Sequence, residues 1–174
     1  MTRARWPDGT LPGMTTVRRL GERDWATARA VRLDALADAP AAFGSSRAGE
    51  AAFEDEVWRS RVRGSAWFLA EDEGGPAGVV TGCAEPGARP AERALVGLWV
   101  APDHRGRGVG DQLVAAVTEW ARGEGADVLV LWVTEYNDAA HGLYRRQGFR
   151  PTGRRLPLLS NPTVDQEQWA LRLG

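Results

Sequence analysis

The sequence predicts an α/β domain in which helices cover the faces of a mixed sheet. Strand-length runs rich in valine, leucine and tryptophan alternate with segments whose apolar residues recur at three and four. Glycine and proline clusters punctuate most boundaries between them. One strand, glycine-rich turn and helix start follow directly on each other around HRGRGVGDQL, residues 104–113. With 174 residues, 43% of them hydrophobic, the chain suits one domain with a single core.

The elements follow in order. Residues 1–13, MTRARWPDGTLPG, carry arginines, prolines and glycines but no apolar h-region, so they read as a flexible extension rather than a secretory signal. TTVRRL (15–20) is a short strand. From Asp24 to about Ala37, the residues Ala28, Val31, Ala35 and Leu36 mark one face of an amphipathic helix, which Pro40 and Gly44 end. A second helix is expected from about Glu50 to Arg63, with Phe53, Val57 and Trp58 on its apolar side. Its acidic residues Glu50, Glu54, Asp55 and Glu56 read as a solvated face, with attraction of a cationic amine as the functional alternative. SAWFLAED (65–72) and AGVVTGCAE (77–85) flank the turn EGGP as antiparallel strands. RALVGLWV (93–100) is apolar enough for a central strand.

Beyond the glycine turn, Leu113, Val114, Val117, Trp120 and Ala121 form a helical stripe that stops at Gly123 and Gly125. DVLVLWV (127–133) is a fully apolar strand, and NDAAHGLYRRQ (137–147) a short helix stopped by Gly148. FRPTGRRLPL and EQWALRL close the chain as two weaker strands. The predicted order is β-α-α-β-β-β-α-β-α-β-β, seven strands and four helices in one domain over 14–174.

Composition removes several function classes. Twenty-two basic against 23 acidic residues give a net charge of -1, with no global signal for nucleic acid or an anionic membrane. No apolar run approaches the ~20 residues of a membrane span. The single cysteine, Cys83, allows neither an internal disulfide nor a cysteine metal cage, so no metal is expected and a reduced, cytoplasmic setting is the simplest reading. Set among Val79, Val80, Thr81 and Gly82, it reads as a small strand residue rather than a nucleophile.

The glycine turn carries the chemistry. Gly106, Gly108 and Gly110 alternate before a helix start. Without Cβ atoms, backbone N–H groups can converge on one anion, and the helix start adds unpaired donors and a positive dipole end. Arg105 and Arg107 can add charge-assisted contacts. A phosphate or pyrophosphate is the implied ligand; a tight turn without ligand is the structural alternative. The dinucleotide pattern G-x-G-x-x-G would need glycine at 111, where Asp111 stands, and the G-K-[ST] ending of a Walker loop is absent. What fits is [QR]-x-x-G-x-[GA], read as Arg105-x-x-Gly108-x-Gly110.

LWVAPDHRGRGVGDQL resembles motif A of the Gcn5-related N-acetyltransferase (GNAT) superfamily. NDAAHGLYRRQGF resembles its motif B, with Asn137, Ala140, Leu143, Tyr144, Gly148 and Phe149 in place. The resemblance implies the GNAT fold, with the sheet splayed between strands four and five around acetyl-CoA. It implies that the backbone of Leu98 and Val100 pairs with the pantetheine arm. Backbone groups of Gly106, Arg107, Gly108, Val109, Gly110 and Asp111, with Arg105, would hold the pyrophosphate. Asn137 would touch the cofactor arm. Tyr144 matches the general acid that meets the departing thiolate; packing is its structural alternative. Asn137 and Tyr144 are seven residues apart, two helical turns, and so share a face.

The general base departs from the pattern. The glutamate often found on strand four falls at Ala94, and the one on strand five at Trp132. Glu92 shares a strand face with Ala94 and is the nearest substitute, acting through a water; Glu135 and His141 are further candidates, and an amine that arrives neutral needs no base. Trp99 and Trp132 fall on central strands, while Trp58 and Trp67 fall near the region that lines the acceptor cleft in relatives; core packing is the plain reading of all four.

The implied activity is acetyl transfer from acetyl-CoA to an amine of a small molecule or protein, with a homodimer allowed. The alternative is a GNAT-like module that binds acetyl-CoA with weak or no catalysis. A nicotinamide-dependent oxidoreductase is disfavoured by Asp111 and by the lack of a second βαβ half.

Overall fold

A computed structural model describes residues 14–174; the expected N-terminal extension lies outside the described residues. The strands are β1 (Thr16–Arg19), β2 (Ala66–Asp72), β3 (Gly75–Cys83), β4 (Glu92–Val100), β5 (Val128–Thr134), β6 (Arg150–Leu158) and β7 (Asn161–Arg172). The helices are α1 (Trp25–Asp38), α2 (Arg47–Ala51), α3 (Asp55–Gly64), α4 (Val109–Gly123) and α5 (Asp138–Arg146). All seven strands join one sheet in the order β1-β2-β3-β4-β5-β7-β6.

Every neighbouring pair is antiparallel except β4 and β5, which run parallel. That parallel pairing covers only Glu92↔Val128, Arg93↔Leu129 and Ala94↔Val130. Both strands continue, to Val100 and Thr134, without pairing further, so the sheet forks between its fourth and fifth strands. A bulge helps turn β4 away: Thr81 pairs with Val96 and Val79 with Trp99, which leaves one extra residue on β4. Gly97 sits in that bulge at φ +66°, a conformation that favours glycine.

The strands are apolar on both sides, and each side has its own helices. Against one face, Val109, Leu113, Val114, Val117 and Ala121 of α4 pack on Phe68, Val80, Leu95, Leu129 and Leu131, joined by Tyr144, Phe149 and Trp169. Against the other, Ala28, Val31, Ala35 and Leu36 of α1 and Trp58 and Val62 of α3 pack on Trp67, Leu69, Val79 and Trp99. Period-2 alternation along β2 explains why Phe68 and Trp67 serve opposite cores.

Two expectations need correction. The single helix expected over 50–63 is two, because Glu54 is extended (φ -63°, ψ 155°) and starts α3 afresh. Phe53 and Val57 are 38% and 41% exposed, and the buried side of α3 is Trp58 and Val62 instead, one helical turn apart. The solvated acidic face holds for Glu54, Asp55 and Glu56 but not for Glu50, which is 3% exposed. Arg32 and Arg61 pair with it, and that charge compensation is what permits its burial. Among the described residues, no helix is long and apolar enough to cross a membrane.

Candidate active site

The three alternating glycines have two physical causes. Gly106 and Gly108 adopt φ +72° and +82°, and a Cβ added to either would meet nothing within 4 Å. Backbone handedness, not crowding, requires glycine there, and open space faces both. Gly110 has ordinary dihedrals, but its Cβ would stand 3.0 Å from Leu143 Cδ2 and 3.7 Å from Val100 Cγ2. Close packing of α4 on α5 therefore selects the third glycine. Gly108 is also the N-cap of the 15-residue α4, so the turn delivers free N–H groups and the positive helix end together.

The side chains around the turn are committed to holding it. Arg105 Nε donates to the Val100 carbonyl at 3.0 Å, and its guanidinium pairs with Asp38 at the end of α1. Asp38 Oδ2 also accepts from Trp99 Nε1 at 2.8 Å. That bond, then the Arg105 pair, holds the Asp38 carboxyl below its ordinary range despite some desolvation. Asp111 turns away toward α5, accepting from Gln147 Nε2 at 2.8 Å and Arg146 Nη2 at 3.1 Å. Partial burial works against its ionisation, but those donors win and lower its pKa. Arg107 is exposed, and Val109 is buried in the core beneath the turn.

A cleft of about 660 Å³ runs along this turn, bordered by Leu98, Val100, Gly106, Gly108, Gly110 and Asp111. A second cavity of about 460 Å³ lies in the fork and includes Thr81, Cys83, Glu85, Trp132 and Tyr144 in its wall. Phe43, Leu98, Asn137 and Ala140 border both, so the two spaces meet where β4 and β5 part.

Asn137 caps α5, its Oδ1 accepting from the Ala140 N–H at 3.2 Å. Two turns on, Tyr144 is 6% exposed, its ring tilted against Phe149 at 5.7 Å between centroids. Its hydroxyl makes no hydrogen bond to another described residue, and burial raises its pKa. The phenol therefore keeps its proton through neutral and alkaline pH.

The sequence profile of the acetyltransferase (GNAT) family matches residues 30–149. The chain belongs to that family. An N-acetyltransferase of Streptomyces griseus is 34% identical over 106 residues, covering 50% of this chain and 54% of that protein. An L-methionine sulfoximine/L-methionine sulfone acetyltransferase of Pseudomonas paraeruginosa is 40% identical over 101 residues, covering 51% of this chain and 59% of that protein. The chain thus spans little more than half the length of these curated relatives. The structure of yncA from Salmonella typhimurium, which holds its cofactor acetyl-CoA, aligns with a TM-score of 0.75 at 20% identity, covering 93% of this chain and 95% of that one. That likeness is one of fold, and the seven-stranded forked sheet is the GNAT fold.

Within this GNAT domain the residues expected to hold a cofactor, from Leu98 to Asp111 with Asn137, gather along one cleft; Arg107 points elsewhere. Tyr144 sits in the adjoining cavity. The candidate bases do not gather there. Glu92 lies in the paired stretch before the fork, 3.8 Å from Arg89, and lines neither cavity. His141 stacks on Trp169 at 5.2 Å, its Nε2 buried without a partner among the described residues. Glu135 also lies outside both walls.

The carboxylate that does line the cavity is Glu85, which sequence reading passed over. It lies just past the end of β3, where no motif marks it, yet period-2 alternation from Thr81 through Cys83 points to it. Burial, then the Glu85 charge, pushes the Cys83 thiol up to about 11, which works against a thiolate there. Trp132 and Trp67 both line the cavity, while Trp58 is wholly buried. Arg32 and Arg61, on α1 and α3, complete the wall, and neither was anticipated.

Proposed function

We propose that the chain transfers an acetyl group from acetyl-CoA to an amine by direct attack, with Tyr144, at the general-acid position, stabilising the departing sulfur by hydrogen-bond donation. The observation that carries this reading is the continuity of the two spaces: a glycine turn built for an anion opens into a cavity walled by a protonated phenol. The turn suits a pyrophosphate, because open space faces Gly106 and Gly108 and the turn runs straight into the N-terminus of α4, whose first N–H groups have no helical partner. Leu98 and Val100, on the part of β4 that no longer pairs with β5, are placed for strand-like bonding to an extended arm, with the Val100 carbonyl already taken by Arg105. Bound acetyl-CoA would supply the acyl thioester.

In this reading Tyr144 donates a hydrogen bond to the sulfur as negative charge develops on it. Among the described residues, Glu85 is the one carboxylate in the cavity wall that also includes Tyr144. The amine either arrives neutral or loses its proton through water toward Glu85. The acetylated amine and free CoA leave as products. Ala94 and Trp132, at the usual glutamate positions, favour a second reading in which acetyl-CoA is held without turnover.

One assay separates the two: release of CoA thiol against a panel of amines, with mass spectrometry of the acceptor. Acetylated product establishes transfer. Tight acetyl-CoA binding with no thiol release from any amine would establish the binding module instead.

A further inference from the structure

The fork cavity carries an uneven set of charges. Glu50, buried under its wall, is shared by two arginines. Arg32 gives it Nε and Nη2, the latter at 2.9 Å, and Nη2 also donates to Ser45 Oγ at 3.0 Å. Arg61 gives it Nη1 at 2.9 Å. One carboxylate thus faces two guanidiniums, so this cluster carries one net positive charge, and Glu85 is the one other carboxylate in the lining among the described residues.

Donors are left over as well as charge. Arg32 Nη1 makes no hydrogen bond to another described residue and stands 3.4 Å from where a Cβ on Gly97 would lie. Gly97 is in the β4 bulge, beside Leu98, and both line the cavity. Arg61 shows only its Nη1 bond, while its guanidinium is held over the Trp58 ring at 4.9 Å. The side chain of Arg32 is 11% exposed, so its charge is poorly solvated and its position is fixed. A nearly buried, rigidly held guanidinium with free N–H groups facing a cavity favours an anion there.

We propose that Arg32 and Arg61 bind a carboxylate of the acceptor, which makes the acceptor a small amino acid rather than a simple alkylamine or a protein chain. The inference rests on the acetyl-transfer reading above. The acceptor's amine must reach the thioester end of the cavity, near Asn137 and Tyr144, while its carboxylate meets Arg32 beside Gly97. Gly97 is one residue from Leu98, which borders the cofactor cleft as well, so the two groups must sit close together in the acceptor. An α-amino acid has that spacing. Glu85, Thr81 and Cys83 then face its side chain, and 460 Å³ leaves room for one but not for a folded protein segment.

The test uses the full chain, acetyl-CoA and matched acceptors: each standard α-amino acid, its carboxamide and its decarboxylated amine. The expected result is that, for the accepted side chains, kcat/KM is roughly 10- to 100-fold higher for the free acid than for either partner. Arg61→Met should narrow that ratio about tenfold, with Arg61→Lys between, since each removes part of the anion's hydrogen bonding. The wild-type comparison stands even if a variant fails to fold. Turnover of amines and carboxamides as fast as of the free acids would overturn the carboxylate subsite and leave acetyl transfer intact. No CoA release from any acceptor would overturn acetyl transfer and the subsite with it.

Discussion

Tyr144 and Glu50 are buried to similar degrees, yet burial acts on them in opposite ways because only one has partners. The Tyr144 phenol has no charge beside it, so desolvation raises its pKa. A phenol above its usual value near ~10 is a weaker acid than a thiol near ~8.5, so full proton transfer to a thiolate runs uphill. Hydrogen-bond donation is the help it can give. Tyr144→Phe should therefore lower kcat by about 10²–10³-fold while calorimetry shows little change in acetyl-CoA affinity. Full kcat in the phenylalanine variant would make Tyr144 a packing residue.

Glu50 goes the other way. Desolvation alone would raise its pKa, but hydrogen bonds from Arg32, Ser45 and Arg61 overcome it and bring the carboxyl down to about 2. Its stabilising contribution is complete above the unfolded value of 4.5 and is lost as pH falls from there toward about 2. At neutral pH that contribution is about 3 kcal/mol. Glu50→Gln should remove it, leaving Arg32 buried without a charge partner, at a cost of about 3–5 kcal/mol in urea unfolding. The variant should also lose the wild-type sensitivity to acid below pH ~4.5. Sequence could not expose this residue's role, because its partners lie 18 and 11 positions away with no pattern joining them.

At the level of elements, local chemistry made most of the chain legible. Six strands and the α1, α4 and α5 helices stand within a few residues of where periodicity and glycine stops place them, while β7 begins at Asn161, six residues before the expected EQWALRL. The split between α2 and α3 escaped, since EAAFEDE carries no glycine or proline to mark it. The cofactor-side residues were legible because they form contiguous motifs; the acceptor wall was not, because α1, α3 and β3 each supply isolated residues. The turn before α4 gives a direct test. Gly108→Val puts a β-branched residue at φ +82° and fills the space facing the turn. Calorimetry should show acetyl-CoA binding abolished while circular dichroism remains native. Unchanged affinity in a folded variant would remove the pyrophosphate assignment.

Across the whole molecule, the sheet is continuous at its base and open at its fork. Only three residue pairs join β4 to β5, so the outer parts of both strands have unpaired edges facing each other. A ligand that binds along β4 should act on the fold as well as the site, because binding only the native state stabilises it by mass action. At 100 times Kd the expected gain is about 2.7 kcal/mol. Amide exchange should slow most between Val96 and Val100, with β1 and β2 scarcely affected. Uniform slowing across the sheet would argue against docking in the fork.

The sheet also has two outer margins. Among the described residues these are β1, only four residues long with Arg18 and Arg19, and β6, where every residue but Leu158 is exposed. An open strand is a template on which another chain can pair and grow into fibres. Here β6 carries Pro151 and Pro157, which lack the N–H such growth needs, and Arg150, Arg154 and Arg155, whose charges repel a second copy. Its register against β7 also jumps between Pro151 and Arg155, so no long flat edge is offered. Fibre growth by strand addition is therefore disfavoured at the β6 margin, which the sheet leaves exposed without leaving it open to a second copy.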